Sequence, residues 1–271
     1  NKFDTKKVLN MNNMFYNCSK LTSIDLSNFN TEKVKDLKSL FHNCGSLKSI
    51  DLSSFDTKNV MEMSYMFSSC VSLTSLNILN FDTNNVVSMR GMFSNCVKLT
   101  SIDVSNFKTS QATTTSYMFS RCYKLKSIDV SNFDMRKVRS MSGMFSDCSS
   151  LRSIDITKWQ TDSLEQMGSL FYNCSSLTSI DISKLNVKKV ILAEGLFNHC
   201  TSLRKVDMSN FDAPSLRNTN YMFKDCWSLT SINFNNFKTK SINSMRETFM
   251  NCISLEEINL DSFDTSEVTN R

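Results

Sequence analysis

Ten cysteines stand at Cys18, Cys44, Cys70, Cys96, Cys122, Cys148, Cys174, Cys200, Cys226 and Cys252, each 26 residues from the last. Thiols at one fixed spacing offer three chemistries: disulfide bonds, a ladder of metal ligands, or a packed column. Zinc sites draw ligands from neighbouring positions, as in C-x-x-C. Here no two cysteines are closer than 26 residues, and the only histidines are His42 and His199, so no metal site is expected. Stacking would bring neighbouring Cα atoms to about 5 Å, inside bridging range. Parallel side chains pointing the same way nevertheless have poor geometry for an S–S bond. The column is therefore read as reduced thiols packed as small apolar residues of a structural core.

Carboxylates form a second column. Counting each cysteine as position 0 of a repeat, Asp25, Asp51, Asp103, Asp129, Asp155, Asp181 and Asp207 fall at position 7, interrupted by Asn77, Asn233 and Asn259. Like charges one ladder spacing apart repel. The row needs either cations, such as Lys48, Lys126, Arg152 and Arg204 at position 4, or hydrogen bonds from the Ser and Thr of positions 5 and 9. Two readings stand: an acidic, hydroxyl-rich face that recognises a partner, or a solubilising face that blocks lateral strand pairing. Calcium, which takes about six to eight oxygens converging from several sides, is poorly served by a single row. Tyr123 and Trp227, with Val71, Val97 and Ile253, stand at position 1 where the remaining coils carry Ser, Gly or Thr, and the aromatics are either interface anchors or partly buried against the next coil. No catalytic set emerges, because neither histidine recurs and there is no glycine-rich phosphate loop. Neither enzymatic activity nor a cofactor is expected.

The elements that position these columns follow from the same period. A chain of 271 residues with 5 Gly and 1 Pro lacks the turn residues of an ordinary α/β enzyme. No apolar run is long enough to cross a membrane. A net charge of +5 is mild for a nucleic-acid binder, and no nucleic-acid partner is expected. Self-similarity at a period of 26 residues marks a solenoid. The columns align as C-x-x-L-x-S-I-D-L-S-x-F-x-T-x-x-V-x-x-M-x-x-M-F-x-x-C, and all but Phe234 of the 20 phenylalanines fall at positions 11 or 23. Positions 4 to 9, as in Thr22-Ser23-Ile24-Asp25-Leu26-Ser27, alternate polar and apolar like a half-buried strand. Asn30 and its equivalents Asp56, Asp82, Asp134, Asp212 and Asp264 then read as a helix N-cap, with Phe55 and Val60 as a hydrophobic staple. Val60, Met63, Met66, Phe67 and Cys70 are spaced by three and four, which predicts one or two helical or 3₁₀ turns. A short strand around Val60 followed by a single turn is the alternative.

The fragment L-x-x-I-x-L-x-x-F, Leu47 to Phe55, matches the leucine-rich-repeat frame with Phe in place of Asn. The longer string M-F-x-x-C-x-x-L-x-S-I-D-L-S-x-F-D-T, seen at Met66 to Thr83 with Asn77 and Ile78 varied and nearly whole at Met118 to Met135, resembles the BspA-like leucine-rich repeats of bacterial surface proteins. It is most similar to the version found in mycoplasma surface lipoproteins. The resemblance covers the whole chain. It implies a surface-exposed, lipid-anchored protein that adheres to host matrix or cells, or to another bacterial surface protein.

Departures from the pattern are local. Ala112 takes the Val position ahead of Thr113, Thr114 and Thr115, predicting a less well packed coil. Lys108 and Lys238 replace the cap, Trp159 and Leu185 replace Phe, and Pro214 follows Asp212 where a first turn tolerates it. Asn1 and Arg271 each cut a coil, so the expectation is residues 1–271 as one solenoid of about ten repeats within a longer protein. Membrane association would come only through a segment outside this sequence. The role expected is recognition of a protein partner; a structural or assembly scaffold is the alternative.

Overall fold

The computed structural model describes residues 3–235, 237 and 240–270. The chain winds into coils that stack in register, paired residues standing 26 positions apart, as a leucine-rich-repeat-like solenoid. Position 18 forms one continuous row of parallel bridges, running from Asn10 and Asp36 through Glu62, Ser88 and Thr114 to Asn270. A second row gathers the position 4 to 9 segments. It is a fully paired parallel sheet only for β1 (Ser179–Asp181), β2 (Lys205–Asp207) and β3 (Ser231–Asn233), in that order. In earlier coils this row is looser: the Thr74, Lys126 and Thr178 amides reach the carbonyls of Lys48, Thr100 and Arg152 at 3.3, 3.4 and 3.3 Å, whereas Thr230 reaches Arg204 at 2.9 Å.

The stretch expected to be helical resolves the other way. Among the described residues there is no helix; the bridge at Glu62 realises the short-strand alternative, and a run of turns follows it. Two residues per coil, at positions 21 and 25, take positive φ, as Tyr65 (58°) and Ser69 (61°) do. Left-handed residues four apart break the i to i−4 ladder. Alternate amides turn outward instead: those of Met63, Tyr65, Phe67 and Ser69 donate to the Ser88, Arg90, Met92 and Ser94 carbonyls of the next coil at 2.7–3.1 Å. The amides between them close three-residue turns, Met66 to Met63, Ser68 to Tyr65 and Cys70 to Phe67. With the Ser64 amide donating to Glu62 Oε1 at 2.7 Å, every amide in the run is satisfied without a helix.

Asp56 and Asp134 therefore cap turns and not helices, their Oδ1 atoms accepting the amides of Lys58 and Arg136 at 3.1 Å. Phe55 and Val60 are both buried, but as core residues with no helix to staple. Lys108 occupies the cap position without an acceptor; its amide donates to Thr83 Oγ1 at 2.7 Å. The other replacement, Lys238, lies outside the described residues, as do Asn1 and Arg271.

The interior is one column per repeat position. From Phe15 to Phe249 the position 23 rings stack face to face, centroids 5.4–5.9 Å apart and planes within 19°. Such offset stacking adds about 0.5–1.5 kcal/mol per pair beyond the area buried. Trp159 takes a Phe position with its indole N–H satisfied by the Val130 carbonyl at 3.0 Å. In the coil of Ala112, Thr115 stands in the Met column, fully buried, with no hydrogen-bond partner for its hydroxyl. That orphaned hydroxyl carries a desolvation cost in this coil, while Ala112 and Met118 beside it stay fully buried.

Candidate functional site

The aspartate row lies exposed along the position 4 to 9 segments, and its geometry explains why aspartate recurs. Asp25 Oδ1 accepts the amide of Ser27 at 2.9 Å, and Asp51, Asp103, Asp129, Asp155, Asp181 and Asp207 repeat the bond at 2.8–2.9 Å. Asn77, Asn233 and Asn259 make it too, with the amides of Leu79, Asn235 and Asp261. Each side chain closes an Asx turn that ends the extended segment, a task open to Asp and Asn alike. The hydroxyls of Ser27, Ser105, Ser131 and Ser209, followed by their amides, hold Asp25, Asp103, Asp129 and Asp207 below the usual carboxylate range. At Asp51 the Ser53 amide is the main cause. Hydrogen bonds rather than cations thus settle the row: Lys48, Lys126, Arg152 and Arg204 form no ion pair with it among the described residues. In the seven coils that carry Asp, one carboxylate oxygen is tied to the backbone while the residue stays exposed to solvent.

The thiols lie on the inner side. Cys44, Cys70, Cys96, Cys122, Cys148, Cys174, Cys200 and Cys226 are buried, Cys252 is half-buried, and Cys18 is exposed, so the column is not uniform. All ten thiols are free. From Cys44 to Cys252 each Sγ sits 3.0–3.3 Å from the carbonyl of the stacked Phe in the preceding coil, as Cys148 does with Phe119. The thiol is thus a small apolar filler that also donates a weak S–H bond across the coil boundary. Burial pushes Cys44 up to about 11 and Cys70, Cys122 and Cys200 up to about 12. Among the described residues no group of acids, thiols and imidazoles is arranged to hold a metal. With a disulfide reagent under native conditions, Cys18 and Cys252 are expected to react first and the eight buried thiols only on unfolding. Denatured, unreduced protein should titrate to ten thiols; a count short by pairs would overturn the packed column.

The position 1 aromatics are solvent-accessible, Tyr123 at 39% and Trp227 at 49%, so burial against the next coil is incomplete. They stand six positions ahead of the aspartates in their coils. Two structural columns escaped the sequence reading. Thr57, Thr83 and Thr109 at position 13 are buried, and each hydroxyl both donates to a carbonyl and accepts an amide at position 12 of the next coil, as Thr57 does with Asp82 at 2.9 and 2.7 Å. The T of the repeat string was their signal. At position 18 the side chains of Asn10, Asp36, Glu62 and Asn218 accept the amide two residues on. The polar character of that column was visible, but alternation of residue types hid the shared acceptor.

No helix among the described residues is long and apolar enough to cross a membrane. Comparison with solved structures finds a leucine-rich cell surface protein from Faecalibacterium prausnitzii, 22% identical, covering 96% of this chain and 77% of the other, with a TM-score of 0.42. Leucine-rich repeat proteins from Eubacterium ventriosum (16% identical, 84% and 70% covered, TM-score 0.42) and Bacteroides ovatus (23% identical, 98% and 82% covered, TM-score 0.39) are also similar. No curated protein matches. One family profile matches in overlapping tandem, over residues 1–77, 36–153, 72–179 and 165–271. With its 26-residue period matched from end to end, the chain belongs to the family described as Mycoplasma protein of unknown function, DUF285.

Proposed function

We propose that this solenoid is a non-catalytic interaction module of the bacterial surface that holds an extended protein partner along its aspartate face. The observation that carries the reading is the row of exposed Asx-turn aspartates, each with one oxygen bonded to the backbone, at the same position of successive coils. An extended partner with basic groups meets several equivalent weak sites at once, and their sum gives avidity that no single site supplies. The groove on this face between Ile50, Asp51, Leu52, Asn77, Leu79 and Asn80 is open and of mixed polarity, and suits a chain better than a small apolar ligand. The motif's resemblance to mycoplasma surface lipoproteins supports reading it as surface-located and lipid-anchored.

Replacing Asp103, Asp129 and Asp155 together by Asn tests this without unfolding the coil, because Asn77 and Asn259 already close the same turn. The triple variant should keep its melting curve while losing salt-sensitive capture on surfaces coated with collagen, fibronectin or laminin. Unchanged capture by that variant, with loss in Tyr123→Ala or Trp227→Ala, would place recognition on the edge aromatics instead.

A further inference from the structure

Beside the aspartate row runs a strip of the opposite sign. From Cys96 to Ile154, positions 0 to 6 of three successive coils carry Lys98, Lys124, Lys126 and Arg152 and no carboxylate. All four side chains are exposed, and none forms an ion pair among the described residues. Lys126 and Arg152 line one shallow groove together with Ser150 and Ser176. Tyr123, 39% exposed, stands in the middle coil one residue before Lys124 and three before Lys126, and its carbonyl accepts the Ser149 hydroxyl of the next coil at 3.4 Å. The carboxylates of the aspartate row, Asp103, Asp129 and Asp155, lie three residues further along each extended segment than position 4, about 10 Å along the backbone at strand rise, and Asp147, one residue ahead of the strip, is paired with Arg121 at 3.9 Å. That exceeds the screening length of about 8 Å at physiological salt, so attraction between the two rows is largely screened.

We infer that this strip is a binding site for a sulfated polysaccharide, separate from the protein-binding reading of the aspartate face. Charge, shape and chemistry select that class. Unpaired cations repeat at the coil rise of about 4.8 Å, which suits a linear polymer carrying anionic groups along its length. The serine hydroxyls of the groove add neutral hydrogen bonds to sugar oxygens, and the Tyr123 ring offers a flat apolar surface for a pyranose face. The aspartate row bars a wide polyanion such as duplex DNA, which would overlie both rows, but leaves room for a single narrow chain along positions 1 to 4.

Heparin binding by the whole chain, followed by calorimetry across a salt series, tests the site. Wild type should bind, with a log–log salt slope that falls by roughly two to three in the variant Lys124→Glu, Lys126→Glu, Arg152→Glu, and with affinity reduced about tenfold or more near physiological salt. Tyr123→Ala should weaken heparin with the salt slope unchanged. The Asp103→Asn, Asp129→Asn, Asp155→Asn variant should bind heparin as well as wild type or better, so loss of matrix-protein capture and loss of heparin binding report on different rows. No heparin binding by wild type, an undiminished triple Glu variant with a normal melting curve, or equal affinity for desulfated heparin, polyglutamate or duplex DNA would each overturn the assignment.

Discussion

Raising the pH from about 8 to about 10.5 is expected to unfold the solenoid over a narrow range. Burial pushes Cys44 and Cys252 up to about 11 and Cys70, Cys122 and Cys200 up to about 12, while Cys96, Cys148, Cys174 and Cys226 rise further. In the unfolded chain these thiols ionise near pH 8.5. The folded state therefore holds more protons above that pH. Its raised thiols contribute stability that is whole below the unfolded pKa and is lost as pH climbs toward the folded values. Each thiol costs about 1.4 kcal/mol per pH unit in this window. The eight buried thiols act in the same direction, on the order of 10 kcal/mol per pH unit, comparable to the whole stability of a domain. Urea melts at stepped pH measure the slope. In the variant Cys122→Ala, Cys148→Ala, Cys174→Ala the slope should flatten by roughly 4 kcal/mol per pH unit, which separates thiols from the tyrosines and lysines that titrate nearby. A stability flat to pH 10.5 would show the thiols to be accessible. On the acid side the sign reverses, because hydrogen bonds lower Asp25, Asp103 and Asp129, and their contribution disappears as pH falls.

Truncation of Phe145 to Ala should cost on the order of 3 to 5 kcal/mol. The ring is fully buried and stacked on both sides, 5.7 Å from Phe119 at 7° and 5.7 Å from Phe171 at 6°. Its removal opens a cavity in mid-column and deprives two neighbours of a face. The coil cannot collapse onto the gap, because its backbone is fixed on one side by the Phe145 amide bonded to the Leu170 carbonyl and on the other by Cys174 Sγ at the Phe145 carbonyl. Ser127→Ala, on the exposed alternation of the same stack, should be nearly silent. Equal shifts of the two variants in chemical denaturation would mean that the faces are reversed. Since each coil contacts only its neighbours, hydrogen exchange should loosen first in the coils around residue 145.

What the amino-acid sequence determined by itself is the period, the inward columns and the strand alternation. Phe145, Met144 and Cys148 could be placed inside from spacing alone, because burial in a solenoid is a property of position within one coil, and identical coils repeat the evidence. Tertiary structure decided where the polar groups go. The three-and-four spacing of Val60, Met63, Met66 and Phe67 fits a helix and an arc of turns equally well, since both present the same side chains inward. The choice fell to turns because the amides of Met63, Tyr65 and Phe67 find carbonyls 25 residues away on the next coil, partners that exist only once coils have stacked. The same holds for Thr57 with Asp82 and for Cys148 with Phe119. The aspartate row differs in kind: its bond to the amide two residues on is local, yet its exposure, and the separation of its charge from Lys126 and Arg152, depend on how neighbouring coils align. Side-chain periodicity encodes which atoms leave water, whereas hydrogen-bond partners between coils are set by stacking, which no single repeat contains.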